Sequence, residues 1–76
     1  MNTQLRTTDI IYATVTAGGN TIVKLTLSGF GSFTELMKSV YGHLGGVAGL
    51  VTVELRNRTL GWVERRAVRM RPVMSQ

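Results

Sequence analysis

The feature that most limits the fold of this chain is a single helical stripe of apolar residues with alternating segments on both sides of it. The stripe has the spacing of an amphipathic α-helix and consists of Phe33, Leu36, Met37, Val40, Tyr41 and Leu44. Ser32 and Glu35 have the spacing of a capping box, in which each side chain bonds the amide of the other residue. Gly45 and Gly46 follow the stripe and can end a helix. The pattern predicts one helix over residues 32–44.

Four other segments alternate between apolar and polar residues, with the period of two that is typical of β-strands. The first pair is separated by Gly18 and Gly19, which predict the tight turn of a β-hairpin. The second pair is separated by a turn rich in Asn, Thr and Gly, which predicts another hairpin. The four segments are residues 9–16, 21–28, 50–56 and 62–71.

The last of these segments breaks its alternation in the middle. Val63 is at an odd-numbered position, whereas Val68 and Met70 are at even-numbered positions, so a regular strand would place Val63 on the opposite face from the other two. A β-bulge inserts one extra residue into a strand and so shifts the parity of the residues that follow. We therefore expect a bulge near residues 64–66, which places Val63, Val68 and Met70 together on the core face.

These elements predict an α+β fold of the order ββαββ, a two-layer sandwich with one helix packed on a four-stranded, mainly antiparallel sheet. The strand order 2-1-3-4 makes every neighbouring pair antiparallel and is preferred, with 1-2-3-4 as the alternative. We expect a single domain over residues 9–71, with flexible ends at residues 1–8 and 72–76. The predicted core comprises Ile11, Ala13, Val15, Val23, Leu25, Leu27, Leu36, Met37, Val40, Tyr41, Leu44, Val51, Val53 and Leu55.

The size of the chain indicates one small domain without covalent cross-links. It has 76 residues, no Cys and one His, so neither disulfides nor a structural metal site supports its core. Oligomerisation is another common device for so small a scaffold, and we expect a homodimer. No apolar run approaches the roughly 18 residues of a membrane span, and no signal peptide is evident. We therefore expect a cytoplasmic protein.

No set of residues suited to catalysis is evident in the sequence. One His, four carboxylates and no Cys offer few ways to build a preorganised site. Residues 29–32, Gly-Phe-Gly-Ser, lack both the third glycine of a dinucleotide-binding motif and the Gly-Lys of a P-loop, and we interpret them as a turn and a helix cap. We expect no enzyme, no metal, no cofactor and no small-molecule substrate.

The positive charge of the chain is concentrated near its C-terminal end. Neighbouring strands lie about 4.8 Å apart, so one hairpin could hold many arginines as a dense positive surface. Guanidinium groups bind phosphate in a planar, bidentate geometry, and Trp62 and Tyr12 could stack on unpaired bases. The residues predict a nucleic-acid-binding hairpin; alternatively, they protect an exposed strand edge from aggregation. This hairpin carries six of the nine basic residues of the chain: Arg56, Arg58, Arg65, Arg66, Arg69 and Arg71.

The sheet face opposite the helix suggests a second hypothesis. Ile10, Tyr12 and Ile22 fall on this uncovered face, and they are more apolar than a face toward water requires. They predict a contact surface for another protein or for a second copy of the chain, with arginines at its rim. On this alternative the chain is a protein-interaction or assembly module.

Overall fold

The computed structural model describes residues 4–71 of the chain. Within this range the chain forms four strands and one helix in the predicted order. The elements are β1 (Ile11–Ala17), β2 (Asn20–Leu27), α1 (Phe33–Gly42), β3 (Gly49–Asn57) and β4 (Val63–Met70). The predicted flexible C-terminal segment, residues 72–76, lies outside the described residues, as do residues 1–3.

The four strands form one antiparallel sheet in the order β2-β1-β3-β4. This confirms the predicted fold class and the preferred strand order, and it excludes the order 1-2-3-4. After β2, α1 carries the chain back along the sheet, so β3 has the direction of β2 and pairs with β1. The two edge strands are therefore β2 and β4.

The first hairpin turns through Gly18 and Gly19, which have positive φ angles of 58° and 82°. A two-residue turn with positive φ at both positions matches the twist of the strands, and glycine adopts it without a steric penalty. The pairing of β1 with β2 shifts register between Val15 and Thr16, where Ile22 has no partner residue in the ladder. The sequence predicts this hairpin but not its bulge.

The helix α1 begins directly after Ser32, as predicted, but it ends before the predicted residue 44. Ser32 has an extended N-cap backbone, and its side chain makes no capping hydrogen bond, so the predicted capping box does not form. The Ser32 carbonyl oxygen accepts from the amide of Leu36 at 3.0 Å. At the other end, Leu44 lies in a turn and its amide donates to the Tyr41 carbonyl oxygen at 3.0 Å. Leu44 still contributes its side chain to the core.

The core lies between α1 and the two inner strands. Within residues 4–71, ten apolar side chains are buried, and all ten belong to the predicted core: Ile11, Ala13, Val15, Leu36, Met37, Val40, Leu44, Val51, Val53 and Leu55. Four further predicted core residues are half-buried and pack against these: Val23, Leu25, Leu27 and Tyr41. One helix of 10 residues covers the middle of the sheet, and the inner faces of both edge strands are only partly covered.

The predicted bulge in the last strand is wrong. The pairing of β4 with β3 is regular from Val63 to Met70, so Val63 faces away from the helix and is 44% exposed. Glu64 and Arg66 instead lie on the helix side with Val68 and Met70. An edge strand permits this, because its charged side chains reach water beyond the helix. The two charges also pair, with Arg66 Nε donating to Glu64 Oε2 at 2.8 Å.

A buried polar junction connects the segment before β1 to the turn after β3. Asp9 and Asn57 are 1% and 0% exposed. Asn57 Nδ2 donates to Asp9 Oδ2 at 2.9 Å, and Asn57 Oδ1 accepts from the Leu60 amide at 2.8 Å. The amide and the Nε of Arg6 donate to the two Asp9 carboxylate oxygens at 2.9 and 3.0 Å. Every polar atom of this junction therefore has a partner, as burial requires.

The segment before β1 makes further hydrogen bonds to the rest of the fold. Trp62 Nε1 donates to the Gln4 carbonyl oxygen at 2.6 Å. The amide of Gly29 donates to the Thr7 carbonyl oxygen at 3.1 Å. The segment predicted to be flexible, residues 1–8, is thus in defined contact from Gln4 onwards, and its mobility stays a prediction.

The environment of Asp9 determines how its carboxyl group titrates. Burial by itself would raise the pKa of this group. The hydrogen bonds from Asn57 and from the amide and guanidinium group of Arg6, together with the charge of Arg6, outweigh burial and lower the pKa below its ordinary value of 3.8. A carboxyl group with a lowered folded-state pKa stabilises the fold above the unfolded-state value. This stabilisation is lost as the pH falls through the folded-state value.

We expect acid to lower the free energy of unfolding from about pH 5 downwards, partly through Asp9. Asp9→Asn removes the titrating group, so its free energy of unfolding should change less steeply with pH over that range, whatever its value at neutral pH. Urea denaturation at a series of pH values between about 7 and 2.5 measures both slopes. Equal slopes for the two proteins would contradict this assignment.

Candidate nucleic-acid interface

One face of the sheet packs on α1, and the other, which we call the open face, has no helix over it. Because successive side chains of a strand alternate between faces, the buried positions of β1 and β3 determine which residues lie on the open face. Its residues from the inner strands are Tyr12, Thr14, Thr16, Leu50, Thr52, Glu54 and Arg56. Its residues from the edge strands are Lys24, Thr26, Val63, Arg65, Ala67 and Arg69.

The open face carries much more positive than negative charge. The register places Lys24 opposite Thr14 on one side and Arg56 opposite Tyr12 on the other. On β4, Arg65 lies opposite Glu54 and Arg69 lies opposite Leu50. Among the described residues of this face, Glu54 is the only carboxylate.

Arg58 joins the open face although it lies just beyond the end of β3. Its Nη1 donates to the Tyr12 hydroxyl oxygen at 2.8 Å. Its amide donates to the Ile10 carbonyl oxygen at 2.9 Å, which extends the pairing of β1 with the chain after β3. The structure thus brings together Arg58, predicted to bind nucleic acid, and Tyr12, predicted either to stack on unpaired bases or to lie in a protein interface.

Arg65 is oriented by the carboxylate of the open face. Arg65 Nε donates to Glu54 Oε2 at 2.6 Å, and the Arg65 side chain is 71% exposed. This is an ion pair between neighbouring strands, since Arg65 lies opposite Glu54 in the register. A guanidinium group has five N–H donors, so this single bond fixes the orientation of Arg65 and leaves the outer donors for a ligand.

Two shallow grooves flank Tyr12 on the open face, and each contains a basic residue. The groove of about 270 Å³ between β1 and β3 is lined by Tyr12, Thr14, Glu54 and Arg56. The groove of about 290 Å³ between β1 and β2 is lined by Tyr12, Ala13, Thr14, Lys24, Leu25 and Thr26. The ring of Tyr12 therefore has a cation-bearing groove on either side.

Two residues predicted to bind nucleic acid lie on the helix side of the sheet instead. The Trp62 ring packs against the Phe33 ring with centroids 5.4 Å apart, and the Arg66 guanidinium lies 5.7 Å from the Phe33 centroid. Arg65 and Arg66 are neighbours in sequence but face opposite sides of β4. The sheet therefore divides the predicted arginine cluster, with Arg66 on the helix side and Arg56, Arg58, Arg65 and Arg69 at the open face. Arg71 follows the end of β4 and is exposed.

The helix side has a groove of its own between α1 and β4. It measures about 390 Å³ and is lined by Phe33, Thr34, Met37, Lys38, Tyr41 and Arg66. Its two basic residues, Lys38 and Arg66, share it with three large apolar or aromatic side chains. Fewer positive charges meet here than on the open face, and Glu64 pairs with one of them.

The three residues predicted to form a protein interface are not brought together. Ile10 and Ile22 are 39% and 42% exposed, but Ile10 precedes β1 and Ile22 lies beside its far end, next to Val15 and Thr16. Five residues of strand separate these positions, which is about 17 Å along β1. Tyr12 lies near Ile10 and not near Ile22, so these three residues do not form one continuous apolar patch.

No helix among residues 4–71 is long and apolar enough to span a membrane. No known protein family, curated protein or solved structure matches the chain.

Proposed function

We propose that this protein is a non-enzymatic module that binds nucleic acid in the cytoplasm through its open face. The observation that carries the proposal is the charge of that face. Five basic side chains lie on it against the carboxylate of Glu54: Lys24, Arg56, Arg58, Arg65 and Arg69. Arg66 and Trp62, which lie on the helix side, are not part of the proposed surface.

The chemistry of arginine suits a phosphate backbone. A guanidinium group presents a planar fork of N–H donors that matches two phosphate oxygens. Each phosphate that such a group neutralises releases condensed counterions, and this release drives binding of any sequence. Contacts to phosphate position a nucleic acid without reading its bases. We therefore expect affinity with little sequence preference.

Protection of a strand edge explains only part of the charge. Charged side chains on an edge strand discourage pairing with other chains, and Arg65 and Arg69 on β4 are suited to that role. Arg56 lies on β3, an inner strand whose two edges are already paired. Arg58 is held over the face by Tyr12 rather than directed away from an edge. These two positions favour a ligand that lies across the face.

A salt titration of the wild-type protein with labelled oligonucleotides tests the proposal. With about four phosphates neutralised, the logarithm of the association constant for a single strand should fall against the logarithm of the salt concentration with a slope near −3. Fluorescence anisotropy over a range of salt concentrations measures this slope. Absence of binding at low salt, or a slope near zero, would contradict nucleic-acid binding by the open face.

A further inference from the structure

The open face is wider than the major groove of a DNA duplex. The order β2-β1-β3-β4 has three spacings between its outer strands. At about 4.8 Å each, these spacings separate the axes of β2 and β4 by about 14 Å. The DNA major groove is about 12 Å wide and admits a helix or a two-stranded ribbon. The open face therefore cannot lie flat in this groove, and the side chains of its inner strands lie away from the base edges of a duplex.

The aromatic residue of the open face lies on one of those inner strands. Tyr12 is in β1, between Thr26 of β2 and Arg56 of β3, and its ring is half-buried. The hydrogen bond from Arg58 at 2.8 Å restrains its hydroxyl group, so the ring is held in place before any ligand binds. A base reaches this ring only when it lies on the sheet itself, and a base within a duplex does not.

The basic residues around Tyr12 are arranged so that a single strand of nucleic acid can lie along them. Lys24 and Arg56 lie in the two grooves beside the ring, and Arg69 lies farther along the sheet, opposite Leu50. From Arg56 to Leu50 is six residues of β3, or about 20 Å. At about 3.4 Å for each stacked nucleotide of one strand, this distance is covered by about six nucleotides.

We infer that the open face binds single-stranded nucleic acid, with Tyr12 stacking on one unpaired base and the surrounding cations neutralising the phosphates. This inference rests on the proposed function and specifies its ligand. Aromatic side chains stack on every kind of base, so the combination of one ring and several cations binds single strands with little sequence preference. Discrimination against a duplex comes from the width of the face and from the inner position of Tyr12.

The probes for the test are labelled oligothymidylate and oligouridylate of about twelve nucleotides, which exceeds the length of the face, and a DNA duplex of equal length. Anisotropy at about 0.05 M salt gives the affinity for each probe. Wild type should bind at least one of the single strands about ten-fold more tightly than the duplex, and the better of the two shows whether DNA or RNA is preferred.

Two variants at position 12 test the stacking contact. Tyr12→Thr should weaken binding to single strands about ten-fold and leave duplex binding and the salt slope unchanged, because it removes the ring and no charge. Thr already occupies the next two open-face positions of β1, Thr14 and Thr16, so the variant should fold. Tyr12→Phe keeps the ring and should bind within about two-fold of wild type.

The possible results separate this inference from the proposed function. Duplex binding as tight as single-strand binding by the wild type, or single-strand binding by Tyr12→Thr equal to that of wild type, would overturn the inference and leave nucleic-acid binding intact. Absence of binding to all three probes would overturn the proposed function and the inference together. The comparison of single strand with duplex needs only the wild-type protein, so it decides the matter even if a variant does not fold.

Discussion

Replacing Asn57 with alanine should destabilise the fold by about 3 kcal/mol, because it removes two hydrogen bonds inside a buried junction. Asn57 Nδ2 donates to the Asp9 carboxylate, and Asn57 Oδ1 accepts from the Leu60 amide. The alanine variant leaves the buried Asp9 carboxylate and the part-buried Leu60 amide with one partner fewer. A domain of this size has a net stability of roughly 3–5 kcal/mol, so the variant should keep about 0–2 kcal/mol and unfold at a much lower temperature and urea concentration than wild type.

Thermal and urea denaturation, followed by circular dichroism and by the fluorescence of the single Trp62, measure this loss. The matched control is the same substitution at an exposed asparagine, Asn20→Ala, which should change the free energy of unfolding by less than about 0.5 kcal/mol. Equal stabilities for the two variants would show that the buried junction does not hold the segment before β1 against the turn after β3.

The periodicity of the sequence was sufficient to predict most of the fold. The helical stripe and the four alternating segments each have one apolar face, and placing β3 beside β1 buries these faces while every neighbouring strand pair is antiparallel. That argument yields the order 2-1-3-4 and ten of the buried residues. Such faces are a property of each segment by itself, which is why they can be read before any tertiary contact is known.

The errors arose where a tertiary contact overrides the local pattern. In β4 the pattern suggested a bulge, because a regular strand places the charged Glu64 and Arg66 on the same face as Val68 and Met70. The structure keeps the regular register and pairs these two charges at the edge of the helix. The capping box failed for a similar reason, since the spacing of Ser32 and Glu35 permits two hydrogen bonds but does not require them.

The buried junction was missed although one signal for it is present in the sequence. Asn57 has the same parity as Val51, Val53 and Leu55, so continuing the alternation of β3 by two residues places it on the core face. We assigned it to a turn because asparagine is common in turns. Its buried partner, Asp9, is 48 residues away in sequence, and no local pattern indicates such a contact.

The sequence predicted the kinds of residue that form the candidate site, but not which of those residues lie together on one face of the sheet. The density of arginines identified the second hairpin. The side of the sheet on which Arg65, Arg66 and Arg69 lie depended on whether β4 contains the predicted bulge. The regular register places Arg66 with the helix and the other two on the open face. The contact of Arg58 with Tyr12 joins two residues that are 46 positions apart, and no local pattern in the sequence predicts it.

Removing two charges from the open face should weaken binding to single strands far more than removing two charges from the helix side. Counterion release makes each phosphate contact worth a factor of about eight at about 0.05 M salt, so the double variant Arg56→Gln, Arg69→Gln should bind about sixty-fold more weakly than wild type. Its salt slope should fall from about −3 to about −1.5, since about two of four contacts are lost. Anisotropy with a labelled single strand over a series of salt concentrations gives both numbers.

The matched control is the double variant Lys38→Gln, Arg66→Gln, whose two side chains line the groove between α1 and β4. Both double variants reduce the net charge from +5 to +3, so a loss of affinity caused by net charge alone would be the same for both. We expect the control to keep the wild-type slope and to bind within about three-fold of wild type, because charges on the far side of the sheet contact no phosphate. Equal losses in the two variants would mean that nucleic acid is attracted by the overall charge of the molecule, and the open face would no longer be distinguished as its binding surface. A larger loss in the control would move the site to the groove between α1 and β4, where Arg66 and the ring of Phe33 lie.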